Sequence, residues 1–418
     1  MTNETTLTKD PSIQSEEVMF DSNINPDIAA ALEMVNESLL EEYMRVLTVE
    51  IGPRMTGSEG SKKAAKYIFE QFENTDLETK FHNWWAIDFR RPYTLYIDKN
   101  VIATLPGKDE TCDEIIVFNA HYDTVKVSPG AIDDGSGTVA VMAAAYALSQ
   151  FEFNRTIKFV CFSGEEVGLF GSRNYVRNLY KNDADILVEF NADMIGYANT
   201  SEEGRIVYVS PSEDAHWIVD EIKNVNSEYG IDFTIKRAWN ISSDRPRGGS
   251  DFFDFLLHGY EAVAFWQSGH YDYYHSPEDT IDKVNFSYLV NVTRLIVASA
   301  AHLADIDVYH PHVQIDSPRR GRFYFKDKSL INFRYEKTIV IDDLLIHADV
   351  KPGDAPIEKV EFYYDDKLIF TDTEYPYEYR LNNLSLLEHE VEVIIYDEQG
   401  RTAQDKVKFY YINIYRKN

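Results

Sequence analysis

Cysteine is nearly absent from this chain: its 418 residues include only Cys112 and Cys161. Cys161 falls inside an apolar run, so no disulfide framework is implied. No run of residues reaches the length and apolarity expected of a membrane span, and no leader-type apolar stretch precedes the first helix-forming segment. Positive charge is scarce. Lys and Arg total 41 against 70 Asp and Glu, a formal net charge of −29. That balance argues against nucleic acid or anionic membrane as a partner and for solubility at neutral pH. Asn-x-Ser/Thr sequons are frequent by contrast, at Asn36, Asn154, Asn199, Asn240, Asn285, Asn291 and Asn383. Together with a β-rich tail they lead us to expect an extracellular or cell-surface protein, with the cytoplasm as the alternative.

What the chain does have is an unusual carboxylate pair. Ser163-Gly164-Glu165-Glu166 follows the apolar run Thr156-Ile157-Lys158-Phe159-Val160-Cys161-Phe162. Adjacent carboxylates can divide the work of metal-assisted hydrolysis, one holding a cation and the other moving a proton. Three further apolar runs end the same way. Ile115–Ala120 leads into His121-Tyr122-Asp123, Asp185–Ala192 leads into Asp193, and Ala262–Trp266 leads through a short loop into His275-Ser276-Pro277-Glu278-Asp279-Thr280. Continuous apolar runs separated by helix-sized segments read as parallel strands covered on both faces. Ligands collect outside the carboxyl ends of such strands. Two histidines and several carboxylates are therefore expected along one sheet edge.

A fifth element is Gly130-Ala131-Ile132-Asp133-Asp134-Gly135-Ser136-Gly137, followed by a helix of small apolar residues from Thr138 to Leu148. A helix apolar all round is expected to be buried. Asp134 and Ser136 fit an ordinary helix cap, whereas Asp133 can bridge two cations with its two oxygens.

In sequence order, the runs H-Y-D-T, G-A-I-D-D-G-S-G, G-E-E-V-G-L-F-G-S, N-A-D-M-I-G and Y-H-S-P-E-D-T resemble the co-catalytic zinc metallopeptidases. That family includes bacterial leucyl-type aminopeptidases, glutamate carboxypeptidases and glutaminyl cyclases, and the likeness spans roughly residues 30 to 305. The resemblance implies that His121 and Asp193 hold one zinc, that Glu166 and His275 hold a second, and that Asp133 bridges them. It makes Glu165 the general base and Asp123 the carboxylate that orients His121. Cobalt or manganese are the expected substitutes for such nitrogen and oxygen donors. Ser250, Asp251, His270 and Tyr274 are candidate substrate contacts, although Ser250-Asp251 also fits a helix N-cap. The activity implied is exopeptidase hydrolysis of peptides, foremost release of N-terminal residues. A carboxypeptidase or dipeptidase would need a basic pocket, for which Arg245 and Arg247 are the nearby candidates. A glutaminyl cyclase and an inactive binding protein are the more distant alternatives.

The fold class expected is α/β, with a mixed, mainly parallel central sheet and helices on both faces, followed by an all-β immunoglobulin-like sandwich. The boundaries drawn are a disordered lead at 1–25, a metallopeptidase domain at 26–308 and the sandwich at 309–418. Within the first domain, Asn25-Pro26-Asp27 and Ser58-Glu59-Gly60-Ser61 are expected to open helices. In the tail, β-rich runs at Thr338–Ile346, Val360–Tyr364, Leu368–Phe370, Tyr377–Tyr379, Val391–Tyr396 and Val407–Ile414 alternate with turn signals. Another protein or a surface component is the kind of partner such a module would contact.

Overall fold

The computed structural model of the chain describes residues 24–90, 93–212, 215–237, 249–306, 310–332 and 337–413. The lead expected at 1–25 falls almost wholly outside the described residues, as do Asn240, Arg245 and Arg247.

Local capping starts the first helices where the sequence places them. Asn25 accepts the Asp27 N–H at 2.9 Å to open α1 (Pro26–Met34), with proline in its first turn. A second helix, α2 (Glu37–Arg45), is capped by Asn36 and runs into a π-helical turn, Val46–Ile51. Ser58 caps α3 (Glu59–Glu73). A long hairpin not anticipated from the sequence follows, β1 (Glu78–Asp88) paired antiparallel with β2 (Thr94–Leu105).

The chain then alternates strand and helix: β3 (Ile115–His121), α4 (Gly135–Leu148), β4 (Thr156–Phe162), α5 (Phe170–Lys181), β5 (Ile186–Ala192), β6 (Ile206–Pro211), α6 (His216–Glu228), β7 (Thr234–Lys236), α7 (Phe252–Leu257), β8 (Ala262–Gln267) and α8 (Phe286–Asp305). The eight strands form one mixed sheet in the order β1-β2-β4-β3-β5-β8-β6-β7. At its centre β4, β3, β5 and β8 run parallel, so their carboxyl ends share one edge. Residues of α1, α2, α3, α4, α6 and α8 pack into one large core on one face. The opposite face is covered by α5 and α7 through Tyr175, Val176, Leu179 and Phe255.

All of α4 except Tyr146 is buried, as its small-residue composition predicts. One expectation needs correction at α8, whose 20 residues are long and apolar enough to cross a membrane. Its burial explains the composition: Leu289, Leu295, Ile296 and Val297 are fully enclosed in the core. Several sequon asparagines also have structural work. Asn36, Asn154 and Asn285 donate their side-chain amides to the carbonyls of Met34, Asp305 and Ala198.

The tail builds two sheets from β9 (His312–Ser317), β10 (Arg322–Phe325), β11 (Lys328–Asn332), β12 (Thr338–Ile341), β13 (Leu344–Lys351), β14 (Ile357–Tyr364), β15 (Lys367–Asp372), β16 (Glu378–Leu381), β17 (Ser385–Asp397) and β18 (Thr402–Asn413). Seven strands take the order β11-β10-β12-β18-β17-β14-β15 and three the order β16-β13-β9. Both sheets line a single core that includes Val313, Ile346, Val360, Phe362, Val393 and Phe409. The expected run Thr338–Ile346 is two strands in different sheets, because the chain turns at Asp342 with φ +74. Asp365 and Asp366, both with positive φ, make the β14–β15 turn where the sequence signalled one. The tail meets the α/β unit through Arg319, whose guanidinium lies 5.1 Å from the Tyr180 ring centroid and 2.5 Å from Asp183.

Candidate metal centre

The parallel strands bring the predicted residues to one place. His121 is the last residue of β3, Asp193 follows β5, the Glu165-Glu166 loop follows β4, and the loop after β8 returns His275 to the same edge. His121 Nε2 lies 3.4 Å from Asp133 Oδ1 and 3.8 Å from Asp193 Oδ1. His275 Nε2 lies 3.1 Å from Asp133 Oδ2 and 3.0 Å from Glu166 Oε2. Two groups of metal-type donors, His121/Asp133/Asp193 and Asp133/Glu166/His275, therefore meet at Asp133, one through each of its oxygens.

The adjacent Asp134 has a different job. As N-cap of α4 its Oδ1 accepts the Gly137 N–H at 2.8 Å, and it also takes the Met194 N–H at 3.2 Å. It thus ties the start of the helix to the loop carrying Asp193. Ser136 behaves similarly, accepting the Ile195 N–H at 2.9 Å.

Asp123 departs from the expectation that its carboxylate orients His121. His121 Nδ1 is 3.1 Å from the Asp123 backbone carbonyl but 3.7 Å from the carboxylate oxygen, beyond hydrogen-bond reach. The carboxylate instead accepts the Thr56 hydroxyl at 2.6 Å and the Glu165 N–H at 3.2 Å. It therefore anchors the loop of Glu165. Gly164 in that loop has φ +82, and a Cβ there would stand 2.7 Å from the Trp84 ring, so the turn requires glycine.

Electrostatically the pocket is a crowd of buried carboxyls. Burial drives the Glu165 carboxyl well above its usual range, with His121 opposing and Asp251 adding to the rise. Burial, followed by the charge of Asp133, pushes Glu166 up to about 8. Such an array is short of positive charge, and a cation is the natural remedy. Among the described residues, one buried oxygen of the centre, Glu166 Oε1, has no hydrogen-bond partner.

Two organising residues escaped the sequence reading. Arg54 is fully buried, and its guanidinium donates to the carbonyls of Tyr122 at 2.7 Å, Gly130 at 2.9 Å, Pro129 at 2.5 Å, Leu47 at 3.2 Å and Gly52 at 3.3 Å. Burial pulls it down to about 10, against the surrounding aspartates. Asp279 accepts the N–H groups of Ile132 and Asp133 at 2.8 and 3.1 Å and the Tyr271 hydroxyl at 2.6 Å. Nothing local marks Arg54. Asp279 does lie inside the His275 motif, where its position was the available signal.

The candidate substrate contacts scatter. Asp251 is fully buried, with neither oxygen hydrogen-bonded among the described residues, and burial raises it to about 7. Neither it nor Ser250, also buried, caps α7 with its side chain. Tyr274 stacks on His275 with 3.7 Å between ring centroids and is 52% exposed. His270 points outward, its side chain 90% exposed and paired with Asp272 at 3.2 Å.

Residues 100–300 match the model of peptidase family M28. Aminopeptidase YwaD of Bacillus subtilis (strain 168) is 29% identical over 215 residues, which is 50% of this chain and 45% of YwaD. The chain thus spans under half the length of that relative. Among solved structures, BSAP, a zinc aminopeptidase from Bacillus subtilis, superposes with a TM-score of 0.56 at 18% identity, over 65% of this chain and 96% of that one. A Fimbriiglobus ruber glutaminyl cyclase superposes with a TM-score of 0.54 at 18% identity, over 64% of this chain and 95% of that one. At these identities the superpositions establish a shared fold.

Proposed function

Because residues 100–300 belong to peptidase family M28, we propose that this chain is a metal-dependent exopeptidase that releases N-terminal amino acids from peptides. The observation that carries the reading is the sharing of Asp133 between two donor groups, one oxygen to each. The similarity to YwaD, itself named an aminopeptidase, supports the choice of substrate end.

The residues fit zinc. Imidazoles and carboxylates without thiolate are a common zinc donor set. Donors bound tetrahedrally at zinc–nitrogen and zinc–oxygen lengths stand about 3.3 Å apart, and the four separations here run from 3.0 to 3.8 Å. Glu166 Oε1, which has no hydrogen-bond partner among the described residues, is a further oxygen that the same group offers a cation.

In this reading His121 and Asp193 would hold one ion, Glu166 and His275 would hold a second, and Asp133 would serve both donor groups. A metal held there would supply a water acidic enough to attack near neutral pH and would polarise the scissile carbonyl. Glu165 takes the proton released by the attacking water and delivers it to the departing amine. Asp123 positions that base by gripping its backbone N–H. His121 is held in its donor tautomer by the Asp123 carbonyl, which leaves Nε2 facing the ligand groups.

The test is a substrate panel of aminoacyl, N-blocked, C-terminal and N-terminal glutaminyl compounds, with and without chelator. Chelator-sensitive cleavage confined to free amino termini is the expected result. Equal cleavage of N-blocked peptides, or cyclisation without hydrolysis, contradicts the reading. We also read the chain as exported, on the strength of its sequons; Asn199 is exposed and open to modification. A native mass free of glycan at that position would count against export through a glycosylating compartment.

A further inference from the structure

Far from the metal centre in sequence, the β unit holds three side chains joined in a row. His389 Nδ1 lies 2.6 Å from Asp365 Oδ2, and His389 Nε2 lies 2.5 Å from the Ser385 hydroxyl. With Nδ1–H donating its hydrogen bond to the carboxylate, Nε2 is left as the acceptor facing the Ser385 O–H. A base within reach of a hydroxyl proton, itself oriented by a third group, is the arrangement that activates a serine as a nucleophile.

The surroundings hold this row in place. Asp365 sits in the β14–β15 turn, where its other oxygen accepts the Glu390 N–H at 3.0 Å and its own N–H donates to the Glu390 carbonyl at 3.0 Å. The His389 ring stacks on Tyr364 at 4.8 Å and meets Tyr411 edge-on at 6.4 Å. Its side chain is only 15% exposed, so the imidazole is partly shielded from water.

Access lies on the serine side. The pairing of β14 with β17 ends at Tyr364 and Val391, which leaves the Ser385 stretch beyond the end of β14. Leu384, Leu386 and Leu387 around it are 59, 68 and 69% exposed, an apolar apron suited to an acyl or aryl group. The Leu387 N–H donates to Ser385 Oγ at 3.1 Å, which fixes the hydroxyl oxygen beside His389.

We propose that Asp365, His389 and Ser385 form a second, metal-independent acyl-transfer site that hydrolyses esters of apolar acids. Ser385 Oγ attacks the ester carbonyl while its proton passes to His389 Nε2. The C–O bond to the alcohol breaks, and His389 returns the proton to the departing alkoxide, leaving an acyl-Ser385 ester. Water, deprotonated by His389, then attacks that ester, and the proton goes back to Ser385 Oγ as the carboxylic acid leaves. The sum is ester plus water giving acid plus alcohol.

The experiment treats the full chain, in excess chelator, with a fluorophosphonate probe and maps the adduct by mass spectrometry. p-Nitrophenyl butyrate hydrolysis is followed in parallel. The expected result is one adduct, on Ser385, with both readouts lost in Ser385→Ala. Both should slow by about 10²–10⁴-fold in His389→Gln, as for removal of a positioned base. Asp365→Asn, a variant of unchanged shape, should slow labelling while far-ultraviolet circular dichroism stays the same. An adduct absent from Ser385, or formed at the same rate in His389→Gln and Asp365→Asn, overturns the proposal.

Discussion

The carboxylate of Asp279 accepts the backbone N–H of Asp133 at 3.1 Å. Through that bond the loop carrying His275 grips the loop carrying the carboxylate that both donor groups share. The grip is doubled by the Ile132 N–H on the other oxygen and by the Ala131 N–H on the Asp279 carbonyl.

Asp279→Asn turns one of those acceptor oxygens into a donor facing an N–H. Stability should fall by about 1–3 kcal/mol, the usual consequence of stranding a buried polar group. If Asp279 also sets the spacing of the donors, the variant should bind less metal at the Asp133, Glu166 and His275 group. Urea melts and metal analysis read the two effects separately; full metal content at lowered stability would confine Asp279 to a structural role.

Arg54 joins the end of β3 to the Asp133 loop by donating to carbonyls of both. Arg54→Met leaves those carbonyls without donors and removes a buried charge from among aspartates. The expected loss is about 3–5 kcal/mol, seen as a lowered thermal midpoint or poor recovery of folded protein. Arg54→Lys keeps the charge but lacks the planar fork and should fall in between.

His258 supplies a pH signature independent of the metal centre. Burial lowers it from 6.5 to about 4, with its bond to the Asp254 carbonyl opposing. The unfolded chain therefore takes up a proton first as pH falls. Stability is fully present above about pH 6.5 and is lost progressively down to pH 4, by about 3 kcal/mol in all. Urea midpoints of His258→Gln should change less between pH 7 and 4.5 than those of the unaltered chain; identical slopes would refute the assignment.

Much of the centre was legible because each ligand lies at or just beyond the end of a local apolar run, and parallel order then places those ends together. Arg54 and Asp279 hold backbone groups distant in sequence, Tyr122 and Gly130 for the one and Ile132 and Asp133 for the other; no local pattern points to Arg54, and only its place in the His275 motif points to Asp279. The β1–β2 hairpin was missed for a related reason. Its strand Glu78–Asp88 mixes charged, polar and aromatic residues on an edge that is only partly covered, so it lacks the continuous apolar run of a central strand. In the tail, Thr338–Ile346 reads as one strand because the residues on either side of Asp342-Asp343 are alike; only the turn separates them. Asp123 shows the same limit at the scale of one residue, since the sequence cannot say whether its carbonyl or its carboxylate reaches the imidazole.

One paired measurement separates the work of Glu165 from that of Glu166. Metal content and turnover of an aminoacyl substrate would be compared in Glu165→Gln and Glu166→Gln. Glu165→Gln should keep its metal and lose about 10²–10⁴-fold in kcat, while Glu166→Gln should lose metal along with activity. Near-normal turnover of metal-loaded Glu165→Gln would contradict this division of labour.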